Sequence, residues 1–340
     1  MGEFGLIDLL RGVIQRSRQS LAQRVREHPA PQALKTLQDI IIDVGDDAAA
    51  WLVDGSVQLS TTDTLVQDVH FSFDGATWRE LGWKALAVNI SDIAAMGGVP
   101  TYALVTLGLP GHTPVEGVSE LYEGMIEIGD KYGAAIVGGD IIGAPVVVIS
   151  LTLMGLGKPG ELLTRSSARV GDLVAVTGYL GSSGGGLRML LDKMVLDVET
   201  ARHLREAHLR PMPRVDEGQT LVRCGVRTAM DISDGLVADL SKLCKASGIA
   251  AKVHVSKVPV HPALKRAFPR DYLPLALGGG EDYELLFCGS SEVVERANET
   301  LETPVTIIGE IVEGSPGEVV LLDEEGRPVE LKTWGWDHLR

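Results

Sequence analysis

One stretch limits the possible folds more than any other: AVNISDIAAMGGVP, residues 87–100. Its apolar residues are small and fall at helical spacing, so the segment predicts a helix packed into a core. Gly97-Gly98 ends the pattern and Pro100 lies beyond it. Yet Asp92 stands in the middle, just after Asn89 and Ser91. A carboxylate among small apolar groups is costly unless something meets its charge. Any fold for this chain must bury that helix and neutralise that acid.

Around it, short elements alternate. AAAWLVD and VQLSTTDTL read as strands joined by an Asp54-Gly55 turn. The helix of interest runs through ATWRELGWKALAVNISDIAAMG; TYALVTLGLP is a strand and VEGVSELYEGMIEIGDKYG an amphipathic helix. AAIVGGD and PVVVISLTLMG are strands, the second expected to be a buried one. A break follows in GKPGELLTRSSARVGD. Then come the strand LVAVTGYLG and helices over GGGLRMLLDKM, RHLREAHL and RPMPRVDEGQTLVRCG. TAMDISDGLVADLSKLCKASG is a strand tip running into a helix. Residues 5–37 also look helical, broken by HPAPQ at 28–32. The class is α/β throughout, without an internal repeat. For 340 residues this implies two domains, expected at 1–155 and 156–340.

Charge narrows the partners. The net charge of −15 repels nucleic acid and anionic lipid. An anionic substrate would therefore need divalent metal to invert the local field. Cys224, Cys244 and Cys288 lack any CxxC spacing, which fits a reducing cytoplasm rather than zinc or disulfides. MGEFGLIDLLRG is not a secretory signal, and the longest apolar run, APVVVISLTLMGLG, is too short to span a bilayer.

Two motifs mislead. GLGKPG at 155–160 matches GxGxxG, but Pro159 and ELLTRSS supply no helix behind it. GSSGG at 181–185 matches GxSxG and does sit between a strand and a helix, which makes Ser183 a candidate nucleophile. His203, His208, His254, His261 and His338 follow, none in a recognisable setting for a serine hydrolase. The better reading is a Gly-rich turn that opens a helix and offers free N–H groups to an anion.

The acids carry more. DVGDDAA (Asp46, Asp47), STTDTLVQDVHF (Asp63), VNISDIAAMGG (Asp92), VGGDIIG (Asp140) and AMDISDGLVADL (Asp231, Asp234) each place Asp near a turn or strand end. Singly, each is a turn former or helix cap. Jointly they sit among small apolar residues with few basic neighbours, so protein ion pairs are not expected to neutralise them. Mg²⁺ suits such a set, because it takes one or two carboxylates together with phosphate oxygens. With the Gly-rich turns GYLGSSGGG and LGGGEDYEL, the pattern points to a nucleotide site without a P-loop, and to phosphoryl transfer.

Taken in order, GEFGLI, VGDDAA, STTDTL, KALAVNISDIAAMGG, GGD, LLTRSSARVGD, VTGYLGSSGGGL, RPMPR, MDISDGLVADL, GGGEDYELLF and GWDHL resemble the thiamine-monophosphate kinases of the AIR-synthetase-like (PurM-like) superfamily. The resemblance implies ATP-dependent phosphorylation of thiamine monophosphate with several Mg²⁺ ions. It also implies a homodimer that pairs through β-structure of an N-terminal mixed sheet, and a C-terminal α/β domain. By motif, Asp47, Thr61, Thr62, Asp63, Asp92, Asp140, Asp231 and Asp234 correspond to metal ligands. Gly139, Asp140, Arg165 and Ser233 correspond to ATP contacts, and His70, Glu281 and Trp336 to substrate contacts. Three departures stand out: Asp68 where Gly is usual before the His, Ile141 where Thr follows GGD, and a longer segment at 12–38.

No general base is expected, since a phosphate monoester with a second pKa of ~6 is already mostly dianionic. Other ATP-dependent enzymes on this scaffold remain alternatives, namely aminoimidazole-ribotide synthetases, selenophosphate synthetases and hydrogenase maturation enzymes. So does a non-catalytic nucleotide-binding paralogue. The absence of any Cys before Cys224 counts against a selenophosphate synthetase.

Overall fold

The first hairpin forms where the sequence places it. Strands β2 (Ala49–Val53) and β3 (Ser56–Val66) pair antiparallel, with Val53 opposite Ser56. The two linking residues, Asp54 and Gly55, both take positive φ, as the tightest hairpin turn requires. The computed structural model describes residues 9–16 and 38–329. Of the segment expected to be helical at 5–37, residues 9–16 are helical; the remainder lies outside the described residues.

The hairpin belongs to a six-stranded mixed sheet ordered β1-β2-β3-β6-β4-β5. Its other strands are β1 (Ile40–Ile42), β4 (Val99–Leu109), β5 (Ala135–Gly143) and β6 (Val148–Gly157). Only β4 and β5 run parallel. Strand β6 is central in order and buries alternate side chains, so the strand expected to be buried is buried on one face. Helices cover one sheet face. The other leaves Val99, Tyr102, Leu104, Val137 and Leu156 exposed.

The central helix, Trp78–Ala95, starts with a reciprocal capping box between Thr77 and Glu80. It is apolar nearly all round, and nearly every residue from Leu81 onward is buried. It lies against the Val115–Tyr132 helix at backbone contact. A Cβ on Gly82 would stand 1.8 Å from the Leu121 carbonyl oxygen, and one on Gly124 2.0 Å from that of Arg79. Only glycine allows that approach.

A second six-stranded sheet is ordered β12-β9-β11-β7-β10-β8. It contains β7 (Leu173–Thr177), β8 (Thr228–Asp231), β9 (Ala250–His254), β10 (Leu285–Gly289), β11 (Val305–Val312) and β12 (Val319–Leu322). Its edge strand β8 ends at Asp231, beside the central helix of the first unit. The Val215–Arg223 helix also closes on that helix, where a Cβ on Gly218 would meet the Ala94 carbonyl oxygen at 2.1 Å. The two sheets thus meet along one buried helix, and that helix carries Asp92.

Candidate active site

Three acids from distant segments converge. Asp47 comes from the loop before β2, Asp92 from the central helix and Asp231 from the tip of β8. One carboxylate oxygen of each lies within 4.8 Å of the others. Thr61 Oγ1 donates to Asp92 Oδ2 at 2.5 Å, and Ser91 Oγ donates to Asp231 Oδ2 at 2.6 Å across the two units. Among the described residues neither Asp92 nor Asp231 has an ion pair. Burial raises both carboxyls well above the carboxylate range, and Asp63, Asp231 and Asp47 push Asp92 up further.

The expectation that protein cations would leave the set alone needs correction at two positions. Arg165 Nη2 donates to Asp47 Oδ1 at 2.5 Å, and its backbone N–H donates to Asp46. Lys242 pairs with Asp234, and with Asp239 at 2.8 Å. Arg165 is thus already at the acid cluster, while Asp234 stands apart from it in a pair of its own. Burial and the neighbouring Asp47 raise Asp46 to about 7.

Strand geometry sorts the remaining residues. Thr61 and Asp63 project to the helix-covered face, because alternate residues share a face. Thr62 projects to the other face and donates to the Leu151 carbonyl at 2.8 Å. Asp140 lies on β5 opposite Thr106 and accepts from the Ile141 N–H at 2.9 Å. Three strand spacings, roughly 14 Å, separate β5 from β3. One chain therefore does not bring the side chains of Thr62 or Asp140 to the carboxylate cluster, and Gly139 lies on the same distant strand as Asp140. Ile141 is exposed and lines a cavity of about 450 Å³ with Leu109, Pro110, Val118 and Tyr122.

A second constellation forms around the Gly-rich turn at 278–284. Lys84 Nζ, on the central helix, lies 2.8 Å from Glu281 Oε1. His208 Nδ1 lies 3.4 Å from Glu281 Oε2. Burial alone would raise the Glu281 carboxyl; Lys84, His208 and His70 outweigh it and hold it below the ordinary range. His70 Nδ1 accepts the Val66 N–H at 2.9 Å, which fixes that nitrogen as the unprotonated one in the neutral ring. Asp68 has φ of +62°, which accounts for the usual Gly at that place; Asp is among the side chains that tolerate it. Ser233 contributes backbone, accepting the Glu281 N–H at 2.7 Å. Trp336 lies outside the described residues.

The turn at 181–185 does not keep all of its N–H groups free for an anion. Asp282 occupies it, accepting from Gly181 N at 2.7 Å and Ser183 N at 3.3 Å. Ser183 is no elbow nucleophile either. It is buried, and its hydroxyl and Glu281 both meet the same nitrogen of His208, whereas a triad uses opposite nitrogens. Sequence reasoning missed Lys84, Asp239, Arg214 and Glu284. Asp239 accepts from the N–H groups of Ser233, Asp234 and Gly235 at 2.9–3.1 Å and so shapes that loop. Lys84 had left a signal: a lysine in the same apolar helical run as Asp92.

The donor set is all oxygen, clustered, and short of cations at Asp92 and Asp231, which fits Mg²⁺. A model of the AIR synthase related protein N-terminal domain matches residues 45–157, and one of the corresponding C-terminal domain matches 169–321. The thiamine-monophosphate kinase of Bacillus subtilis is 36% identical over 310 residues, 88% of this chain and 94% of that protein. That of Aquifex aeolicus is 36% identical over 341 residues, 99% of this chain and 98% of that one. The chain belongs to the thiamine-monophosphate kinase family. A solved structure of AaThiL complexed with AMPPCP and TMP shares the fold at a TM-score of 0.81 and 35% identity, covering 98% of this chain and 96% of its own. For this family member, the carboxylate cluster and the Glu281 constellation both lie along one helix, Trp78–Ala95. Asp92 and Lys84 are eight residues apart along it, roughly 12 Å.

Proposed function

We propose that this chain transfers the γ-phosphoryl group of ATP to thiamine monophosphate, giving thiamine diphosphate, by direct in-line displacement. The observation that carries the reading is the convergence of Asp47, Asp92 and Asp231 from three separate segments of a family member. Asp47, Asp92 and Asp231, with Asp63 beside Asp92 and Thr61 orienting it, would hold the Mg²⁺ ions. Bound Mg²⁺ offsets the repulsion between two phosphate-bearing anions. Arg165 moves from Asp47 to the ATP phosphates, where a guanidinium fits the oxygens. Ser233 and Asp234 lie on the loop that follows Asp231; Glu281 and His70 face the thiamine part. No side chain removes a proton from the acceptor, which is already a dianion at neutral pH. The cavity beside Ile141 is large enough for an adenine base.

The proposal includes a homodimer, the division at 155/156, and a cytoplasmic location. No described helix is long and apolar enough to cross a membrane, and the three cysteines are buried and unpaired. A second copy on the open face of the first sheet would cover Val99, Tyr102, Leu104 and Leu156. It would also cover Thr62 and Asp140, which lie on that face.

The test is purified protein with ATP, Mg²⁺ and thiamine monophosphate, followed by chromatography. Thiamine diphosphate formed in step with ADP supports the reading. ATP binding without product would favour a non-catalytic paralogue.

A further inference from the structure

We propose that Lys84 is a positioning residue for the substrate: a buried ammonium that keeps Glu281 ionised and aimed into the cleft, so that the pair selects the cationic half of the acceptor. The inference rests on the reading of Glu281 as an acceptor contact.

Lysine is almost never fully buried without a reason. Lys84 is 1% exposed, and among the described residues its one ion pair is with Glu281. The pair joins the central helix of the first unit to a loop of the second. Its partners differ in access: the Glu281 side chain keeps 31% of its surface and that of Lys84 keeps 2%. Lys84 therefore cannot reach a ligand and acts through Glu281.

The loop around Glu281 is pinned residue by residue. Glu281 N–H donates to the Ser233 carbonyl at 2.7 Å, and Tyr283 N–H to that of Ile232 at 2.9 Å. Asp282 holds the two N–H groups at the 181–185 turn. Glu284 is gripped by Arg214 through two bonds of 2.5 and 2.6 Å. Glu281 and Tyr283 both take left-handed backbone, at φ of +56° and +52°. Such strain persists only where the surroundings over-determine it. The carboxylate is thus fixed in place, with His208 against one oxygen, Lys84 against the other, and His70 near by.

A buried ion pair seldom adds net stability compared with an apolar pair of the same shape. What Lys84 supplies instead is charge state. Burial by itself raises the Glu281 carboxyl and so weakens its hold on a cation. With the ammonium behind it, it stays anionic and presents that charge to a delocalised cation such as a thiazolium ring.

The experiment measures steady-state kinetics for Lys84→Met, Glu281→Gln and the double variant, with thermal melts as a folding control. Lys84→Met is expected to raise KM for thiamine monophosphate about tenfold or more, the scale of one charge-assisted contact, and to leave KM for ATP within about twofold. The acid limb of kcat/KM for the acceptor moves to higher pH. Without the ammonium the Glu281 carboxyl titrates higher, so acceptor binding is lost earlier as pH falls. In the Glu281→Gln background the Lys84 change has no further effect on acceptor KM. Should Lys84→Met not fold, Glu281→Gln alone must give the acceptor-selective KM rise. Equal rises in both KM values, or a lower melting temperature with unaltered KM values, would overturn the proposal. A wild-type protein that makes no thiamine diphosphate would instead overturn the functional reading beneath it.

Discussion

Asp47 has one set of oxygens and two claimants. Arg165 holds both of them through Nη2 at 2.5 Å and Nε at 3.3 Å, and a metal ion shared with Asp92 and Asp231 needs one. Removing the guanidinium should therefore act with opposite signs on two ligands. Arg165→Met is expected to bind Mg²⁺ alone several-fold more tightly and ATP about tenfold more weakly, as read by calorimetry. A variant weakened for both would contradict the competition. Protons compete as well. Asp92 and Asp231 are raised by burial and by each other's neighbourhood, so in the metal-free protein they retain protons above the ordinary carboxylate range. Metal binding must release those protons, so Mg²⁺ affinity rises with pH until the raised values are passed. Calorimetry in buffers of different ionisation heat should show proton release on Mg²⁺ binding, and less of it as the pH is raised.

The elements do most to explain why single motifs mislead. GSSGG looks like a phosphate cradle or a nucleophile elbow because its local form, strand–turn–helix, is common to both. What fills it is Asp282, a hundred residues away in sequence, and local pattern cannot report a partner at that distance. The same holds for Glu284, which is buried against Arg214 and Thr177. Arg214→Met should cost about 3–5 kcal/mol in urea unfolding, since it strands a buried carboxylate; a surface-like loss under 1 kcal/mol would contradict the pairing. Asp68 shows the converse, where a departure from family habit is explained by its backbone. At φ of +62° an alanine should lose about 1 kcal/mol, measured in the same way, and a glycine should not. Element placement itself was legible wherever a capping or turn residue marked it. Asp54-Gly55 and Gly97 each sit where the sequence puts them. The apolar run of strand β6 does not say whether one face or two is covered.

For the whole molecule, the convergence of Asp47, Asp92 and Asp231 was legible as a need: buried acids require a shared solution. The sharing of that site between two units joined by one helix was not, because it depends on how the sheets dock. Asp140 marks what one chain leaves open. Its strand lies three strand spacings, roughly 14 Å, from β3, and the exposed apolar face beside it gives a reason for two copies to meet. Sedimentation should find a dimer, and Tyr102→Glu with Leu104→Glu should yield monomer with reduced turnover; a wild-type monomer with full activity would contradict that arrangement. The central claim is that the carboxylates act by holding metal between two phosphates. It is tested most directly by turnover of Asp92→Asn at saturating ATP, Mg²⁺ and thiamine monophosphate. The account predicts a loss of at least about 100-fold in kcat, in a protein that melts no lower than wild type because Asn keeps the size of the side chain and an oxygen for Thr61. Unchanged turnover in Asp92→Asn would contradict it.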